Sequence, residues 1–193
     1  MSFTPKLMRQ VVHALAGEMD RYEAGNLIDH GDERTYSLLE WNDHFNAWLI
    51  CWNTDHETGF HDHDGSAVCY KVVRGNLLEE TMINVEGGGI YLAGLEHHEG
   101  DLVELGPYDI HNVKHWTDGV PEPAVSIHVY SPPLIRMGSY GMIPGERLSR
   151  MPMTSDQPLR PLEAAALEHE RHDEDGTDAP WHDYPSEDTR ITG

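Results

Sequence analysis

Over the first 24 residues the apolar positions Leu7, Met8, Val11, Val12, Leu15 and Met19 recur every three or four residues, behind Thr4 and Pro5. That spacing lays one apolar stripe along a helix, and a Thr-Pro pair is a start signal. The pattern therefore predicts an amphipathic helix from Pro5 to about Ala24. From about residue 34 the apolar period shortens to two. Runs rich in β-branched and aromatic residues follow: TYSLLEW, FNAWLICW, SAVCYKVV, NLLEETMINV, GIYLA, DLVEL and AVSIHVYS. Turn chemistry such as Asn42-Asp43, Gly75-Asn76, Gly87-Gly88-Gly89, Gly106-Pro107 and Pro132-Pro133 separates them. Many short strands with close turns predict a mainly β fold, a sandwich or small barrel, rather than a parallel α/β sheet. Past residue 160 the strand pattern stops. PLEAAALEHERHDED reads as one helix, and the acidic, proline-bearing remainder as a tail that docks through Trp181 and Tyr184. The expected organisation is one domain over 1–160, N-terminal helix included, and a helical, acidic arm over 161–193.

Charge narrows the partners. With 34 acidic against 13 basic side chains the net charge is -21, a field that repels phosphate backbones and anionic lipid. Nucleic acid and membrane surfaces are excluded as partners. Solubility accounts for the charge; attraction of a cationic ligand is the alternative. No apolar run approaches the ~18 residues of a membrane span, and the N-terminus lacks the basic-then-apolar order of a signal peptide. Two cysteines, Cys51 and Cys69, make no disulfide framework and fit a reducing cytoplasm. No protein partner or oligomeric state can be inferred from the sequence. Histidine stands out: the chain has 14, against 13 Lys and Arg together. That excess points to a metal or acid-base site.

The stretch GFHDHDGS, Gly59 to Ser66, concentrates that chemistry. Residues i and i+2 of a strand share a face, so His61 and His63 present two imidazoles side by side, while Asp62 falls on the opposite face as a turn or surface residue. Neutral imidazole is a ligand for first-row transition metals; a pair of exposed turn histidines is the plain alternative. Two histidines one apart, with Gly59 before and Gly75 closing the next hairpin, resemble the first motif of the cupin superfamily, small barrels with a metal at the mouth. The usual glutamate ligand of that motif is absent, since Ala67 and Val68 occupy its place. The resemblance extends to LGPYDIHNVKHW, a Gly-Pro turn followed by a strand histidine. That implies His111 as third ligand, with His115 as the competitor four residues on.

The run PAVSIHVYSPPL carries the most information. Ser126, His128 and Tyr130 alternate with Val125, Ile127 and Val129, so hydroxyl, imidazole and phenol line one face. Buried, they would form a hydrogen-bonded wire ending at Tyr130. Taken in order, FHDHDGS, VVRGNLLE, DIHNVKH and PAVSIHVYSPPL resemble the cysteine dioxygenase family of cupin thiol dioxygenases over residues 34 to 140. The resemblance implies one Fe(II) per chain on His61, His63 and His111, with Ser126, His128 and Tyr130 as the catalytic relay. It implies O2 as co-substrate and a small-molecule thiol oxidised to a sulfinic acid.

Two positions depart from that family. A cysteine that cross-links to the strand tyrosine in mammalian-type members falls at Val68, and its neighbour Cys69 should face away, so Tyr130 is expected to be unmodified. The arginine that grips the substrate carboxylate falls at Leu38, with Arg34 about 13 Å further along the strand. Free cysteine is therefore not the expected substrate; 3-mercaptopropionate and ergothioneine are the candidates. Leu38, Trp52, Asp64, Tyr70 and Asp109 are the expected wall residues. A cupin enzyme with another metal and a non-thiol substrate, or a non-catalytic metal- or ligand-binding cupin, remain the alternatives.

Overall fold

The N-terminal stripe folds as two helices, α1 over Pro5–Ala16 and α2 over Met19–Ala24, rather than the single helix expected. Thr4 caps α1, its hydroxyl accepting from the Leu7 N–H at 3.3 Å. The break falls at Gly17, the poorest helix former in the run. It turns Tyr22 onto the same core as Met8 and Val12. The computed structural model describes residues 4–28, 34–53, 56–85, 89–117, 123–143 and 147–152. The C-terminal helix and acidic tail expected over 161–193, with Trp181 and Tyr184, lie outside the described residues.

The strands are β1 (Thr35–Trp41), β2 (Asn46–Trp52), β3 (His61–Asp62), β4 (Ala67–Arg74), β5 (Leu77–Val85), β6 (Gly89–His97), β7 (Leu102–Leu105), β8 (His111–His115), β9 (Ala124–Ser131), β10 (Gly138–Ile143) and β11 (Arg147–Pro152). They form two antiparallel sheets, ordered β1-β2-β9-β4-β7 and β11-β10-β3-β8-β5-β6. The architecture is mainly β, a small cupin-type barrel with helices at its N-terminal end. The seven sequence-predicted runs fall on β1, β2, β4, β5, β6, β7 and β9. The β10–β11 hairpin has no counterpart among them, because GSYGMI and RLSRMP lack alternating apolar residues.

Alternation decides which face each strand offers. All seven residues of β2 are buried, because both of its faces are covered. Trp48, Ile50 and Trp52 point into the barrel with Val68, Tyr70, Val72 and Tyr130. Ala47, Leu49 and Cys51 point the other way, against Met8 and Val12 of α1. Strand β9 repeats the arrangement: Val125, Ile127 and Val129 face the helices. A fully buried Leu, Ile or Val contributes about 1.5–3 kcal/mol, so the helical layer fixes the facing of β9 and turns Ser126, His128 and Tyr130 inward. Gly75, between β4 and β5, adopts φ +69° and leaves no room for a side chain, since a Cβ there would lie 3.0 Å from the Ala124 Cα.

Candidate metal centre

Inside the barrel, strand pairing sets His61 of β3 opposite His111 of β8, and His63 follows directly after β3. The His61 and His111 rings have centroids 4.5 Å apart, and His63 lies 5.1 Å from each. One nitrogen from each of the three rings lies within 4.8 Å of the others, and no ring is more than 3 % exposed. His61 Nδ1 donates to the Gly59 carbonyl at 3.0 Å, and His111 Nδ1 to Glu79 Oε1 at 2.6 Å. Each donation turns Nε2 into the open nitrogen. His111 Nε2 and His63 Nε2 then face one another at 3.4 Å.

Burial first, and then the neighbouring rings, hold His61 and His63 well below the usual imidazole range, so both rings are neutral at pH 7. His63 Nδ1 is buried with no hydrogen-bond partner among the described residues. A converging all-imidazole donor set of this kind fits a borderline transition-metal dication. His115 shares the face of His111 but pairs with Leu77, about 13 Å along β8, and stands outside the cluster.

Asp62 corrects the expectation of a turn or surface residue. It is buried, and Arg150 of β11 grips it with a fork, Nε to Oδ2 at 2.7 Å and Nη2 to Oδ1 at 2.8 Å. The Tyr140 hydroxyl donates to Oδ2 at 2.6 Å. Burial opposes ionisation, but Arg150 and Tyr140 prevail and hold the carboxyl below its usual range. The pair that carries the histidines is thus tied down from behind by β10 and β11. A Cβ on Gly138 would run into the Arg150 guanidinium, which is why that position is glycine.

Beside the histidines runs the β9 wire. Trp52 Nε1 donates to Ser126 Oγ at 2.8 Å, Ser126 Oγ meets His128 Nε2 at 2.8 Å, and His128 Nδ1 meets the Tyr130 hydroxyl at 3.3 Å. An indole N–H can only donate. Trp52 occupies one of the two lone pairs of Ser126 Oγ and leaves the hydroxyl proton available to His128 Nε2. In the tautomer with its proton on Nδ1, His128 donates to the Tyr130 oxygen and leaves the phenolic proton free to point elsewhere. Burial, followed by repulsion from His111, brings His128 down to about 3 and keeps it neutral. Burial pushes the Tyr130 phenol up, so it stays protonated. The Tyr130 ring packs edge-on against His63, centroids 5.0 Å apart.

The wall residues expected from sequence divide. Leu38 packs half-buried against the barrel core, and Trp52 serves the wire. Tyr70 lies buried, stacked on His128 at 4.6 Å. Asp64 sits in a turn at φ 46°, bonded to Arg150 at 3.0 Å. It also lines a surface cleft of about 350 Å³ that reaches His63 from the Trp41 end of β1. Asp109 accepts from the Gly106 N–H at 2.7 Å and closes its own turn.

Arg34 is closer than its strand position implied. Its guanidinium folds back over Tyr36, 5.1 Å from the ring centroid, and over Trp52 at 5.6 Å, with Nη1 donating to the Glu57 carbonyl at 2.6 Å. Its charge reaches both His61 and Tyr130, lowering each. Cys69 faces α1 on the side of β4 opposite Tyr130, whose partner across the strands is Val68. Burial raises its thiol to about 12, so it is protonated and inert.

Sequence reasoning missed Glu79. It is buried on β5 and divides its oxygens between His111 at 2.6 Å and His97 at 3.1 Å. Burial works against its charge, but the two histidines outweigh it and hold the carboxyl at about 2. The available signal was period two in NLLEETMINV, which puts Glu79 on the face of fully buried Leu77 and leaves Glu80 outside.

A sequence profile of the family described as Cysteine dioxygenase type I matches residues 7–142. Cysteine dioxygenase type 1 of Rattus norvegicus is 31% identical over 130 residues, covering 62% of this chain and 56% of its own length. The Homo sapiens protein of the same name is 28% identical over 128 residues, with the same coverage of 62% and 56%. The chain thus spans about half the length of the curated relatives it matches. Among solved structures, a Thermus thermophilus protein aligns with TM-score 0.46 and 14% identity over 57% of this chain and 94% of its own. The Cnp3 cupin domain of Schizosaccharomyces pombe aligns with TM-score 0.42 and 8% identity, over 51% and 60%.

Proposed function

Because the chain belongs to the cysteine dioxygenase type I family, matched over residues 7–142, we propose that it is an Fe(II)-dependent thiol dioxygenase acting on a small thiol that bears a carboxylate. The observation that carries this reading is the buried cluster of His61, His63 and His111 beside the hydrogen-bonded run of Trp52, Ser126, His128 and Tyr130. A ferrous ion on the three histidines would supply the redox chemistry by which O2 and a thiol combine, RSH + O2 → RSO2H, both oxygen atoms going to sulfur and no external reductant being consumed.

The chain's own residues do the rest. His61 and His63, kept neutral by burial, offer lone pairs rather than protons. With three neutral ligands the site keeps its positive charge, which favours an anionic sulfur over a neutral alcohol or amine. Tyr130, protonated and held by His128, donates a hydrogen bond to the reacting group. Trp52 fixes the direction of that wire and, with Tyr36, walls the site against water. Arg34, resting on both rings, takes the substrate carboxylate in a two-point grip.

That placement of Arg34 removes the ground for setting free cysteine aside. It keeps cysteine and 3-mercaptopropionate as the two substrates to separate. Ergothioneine fits less well, because Asp64 and Asp109 are engaged in turns and Tyr70 is buried, leaving no acidic aromatic wall among the described residues for its trimethylammonium group.

The test is anaerobic loading with Fe(II), then O2 uptake against cysteine, 3-mercaptopropionate, ergothioneine and cysteamine, which lacks a carboxylate. One carboxylate thiol should turn over at least tenfold faster than cysteamine, and Arg34→Ala should raise its KM by about 10–100-fold, the loss of one charge-assisted pair. No thiol-dependent uptake refutes the dioxygenase reading. Cysteamine as the best substrate, with Arg34→Ala silent, refutes the carboxylate grip alone.

A further inference from the structure

We propose that Glu79 is a positioning residue of the metal centre, which restores through His111 the negative charge that the missing glutamate ligand would have brought. This rests on the reading of His61, His63 and His111 as ligands. Ala67 and Val68 stand where a cupin's carboxylate ligand is expected, which leaves three neutral rings for a dication in a buried site. Such a site is electrostatically expensive without a counter-charge. The carboxylate has moved rather than vanished. On β5, Glu79 sits behind His111, its Oε1 accepting the Nδ1 proton at 2.6 Å, the distance of a charge-assisted bond.

Three consequences follow from that one contact. Nδ1 is fixed as the protonated nitrogen, so Nε2 faces the cluster. The ring plane is fixed, because a carboxylate holds the bond in a preferred direction. Electron density moves from the carboxylate through the imidazole toward Nε2, which strengthens the donation His111 can make to a metal. His61 has only a neutral carbonyl, Gly59, in the same role, and His63 Nδ1 has no hydrogen-bond partner among the described residues. The three ligands are therefore graded, with His111 the anchor.

His97 completes the device. It meets Glu79 Oε2 at 3.1 Å from β6 and is itself backed by the Tyr70 ring, edge-on at 6.0 Å. With one oxygen engaged on each side, the carboxylate cannot rotate away from His111. Tyr70 also stacks on His128 at 4.6 Å, so the anchor of the metal and the proton wire lean on one buried ring.

The experiment titrates Fe(II), anaerobically, and Zn(II) into wild type, Glu79→Gln and His111→Ala. Glu79→Gln keeps the shape and an acceptor oxygen but loses the charge. It should bind either metal about 10–100-fold more weakly, with an unchanged far-UV spectrum and a raised Fe(III)/Fe(II) potential, since less negative charge favours the ferrous state. A purely structural role would not move the potential of the iron that remains bound. Equal binding by wild type and His111→Ala would mean that the ligand reading itself fails, and this proposal with it. If His111→Ala loses the metal while Glu79→Gln matches wild type in affinity and potential, the ligands stand and the role of Glu79 is overturned. Should Glu79→Gln not fold, nitrogen-15 spectra of the Zn(II)-loaded wild type decide. A downfield, exchange-protected proton on His111 Nδ1 is expected; its absence, or zinc on Nδ1, overturns the proposal.

Discussion

An indole on the neighbouring strand biases the wire that ends at Tyr130. Trp52 can only donate, so it takes one lone pair of Ser126 Oγ and favours the direction in which Ser126 donates to His128 and the phenolic proton stays free. Trp52→Phe keeps an aromatic ring but removes that direction. It should lower kcat roughly fivefold to tenfold, with KM and bound iron little changed. Tyr130→Phe should cost more, about 100–10,000-fold in kcat, as for loss of a proton donor. Steady-state kinetics on iron-quantified protein check both; a Trp52→Phe effect confined to KM would make the indole a wall rather than a director. The wire itself was legible from Ser126-x-His128-x-Tyr130, because alternation on a strand is a local property. Its direction was not, since Trp52 is 74 residues from Ser126 in the chain.

At the scale of elements, the shortest strand carries His61 and leads straight into His63. Strand β3 is two residues long and makes few ladder bonds of its own. Its hold comes through Asp62, which lies between the two histidines, faces away from them, and is gripped by β10 and β11. Arg150→Met keeps the apolar stem and strands a buried carboxylate. The cost is about 2–4 kcal/mol, a fall in Tm of roughly 5–12 °C for a chain of this size. Metal affinity should fall with it, although Arg150 touches none of the three histidines. Calorimetry and metal titration on the one variant check the link, and an unchanged affinity would show that β3 holds its shape unaided. Asp62 read as a turn residue in the sequence because its partner lies 88 positions on, in a glycine-bearing hairpin without an apolar rhythm. Glu79 went unread in another way: period two in β5 puts it on the face of Leu77, but its partner His111 is 32 positions on and is set beside it only by the register of β5 against β8.

The whole molecule buries neutral histidines and ionised carboxylates together, and both kinds make it acid-sensitive. An unfolded histidine titrates near 6.5, whereas burial holds His128 at about 3 and lowers His61 and His63. Below pH 6.5 the unfolded chain therefore binds protons that the folded chain refuses, and stability falls with pH by up to about 1.4 kcal/mol per unit for each such group. Glu79 and Asp62 have depressed values, so their contribution is present above about pH 4 and is lost below it. The urea midpoint of the metal-free protein should be flat between about pH 7 and 8, decline from 6.5 to 4, and fall further beneath; above about 8.5 it should decline again, because Cys69 is held at about 12 in the fold and ionises sooner in the unfolded chain. A midpoint that stays constant between 6.5 and 5 would contradict the buried neutral imidazoles.

The barrel was readable in outline from strand rhythm and turns. The histidine cluster was readable because His61 and His63 stand two residues apart in extended chain. The reach of Arg34, by contrast, depends on a side chain that folds back over two rings, which residue spacing does not encode. In the proposed reaction both atoms of one O2 pass to a thiol sulfur. Turnover of the iron-loaded protein under ¹⁸O2, with 3-mercaptopropionate or cysteine, decides it. The expected product is a sulfinate carrying two labelled oxygens, at one O2 consumed per thiol. Disulfide, a singly labelled product, or no oxygenated product would contradict it.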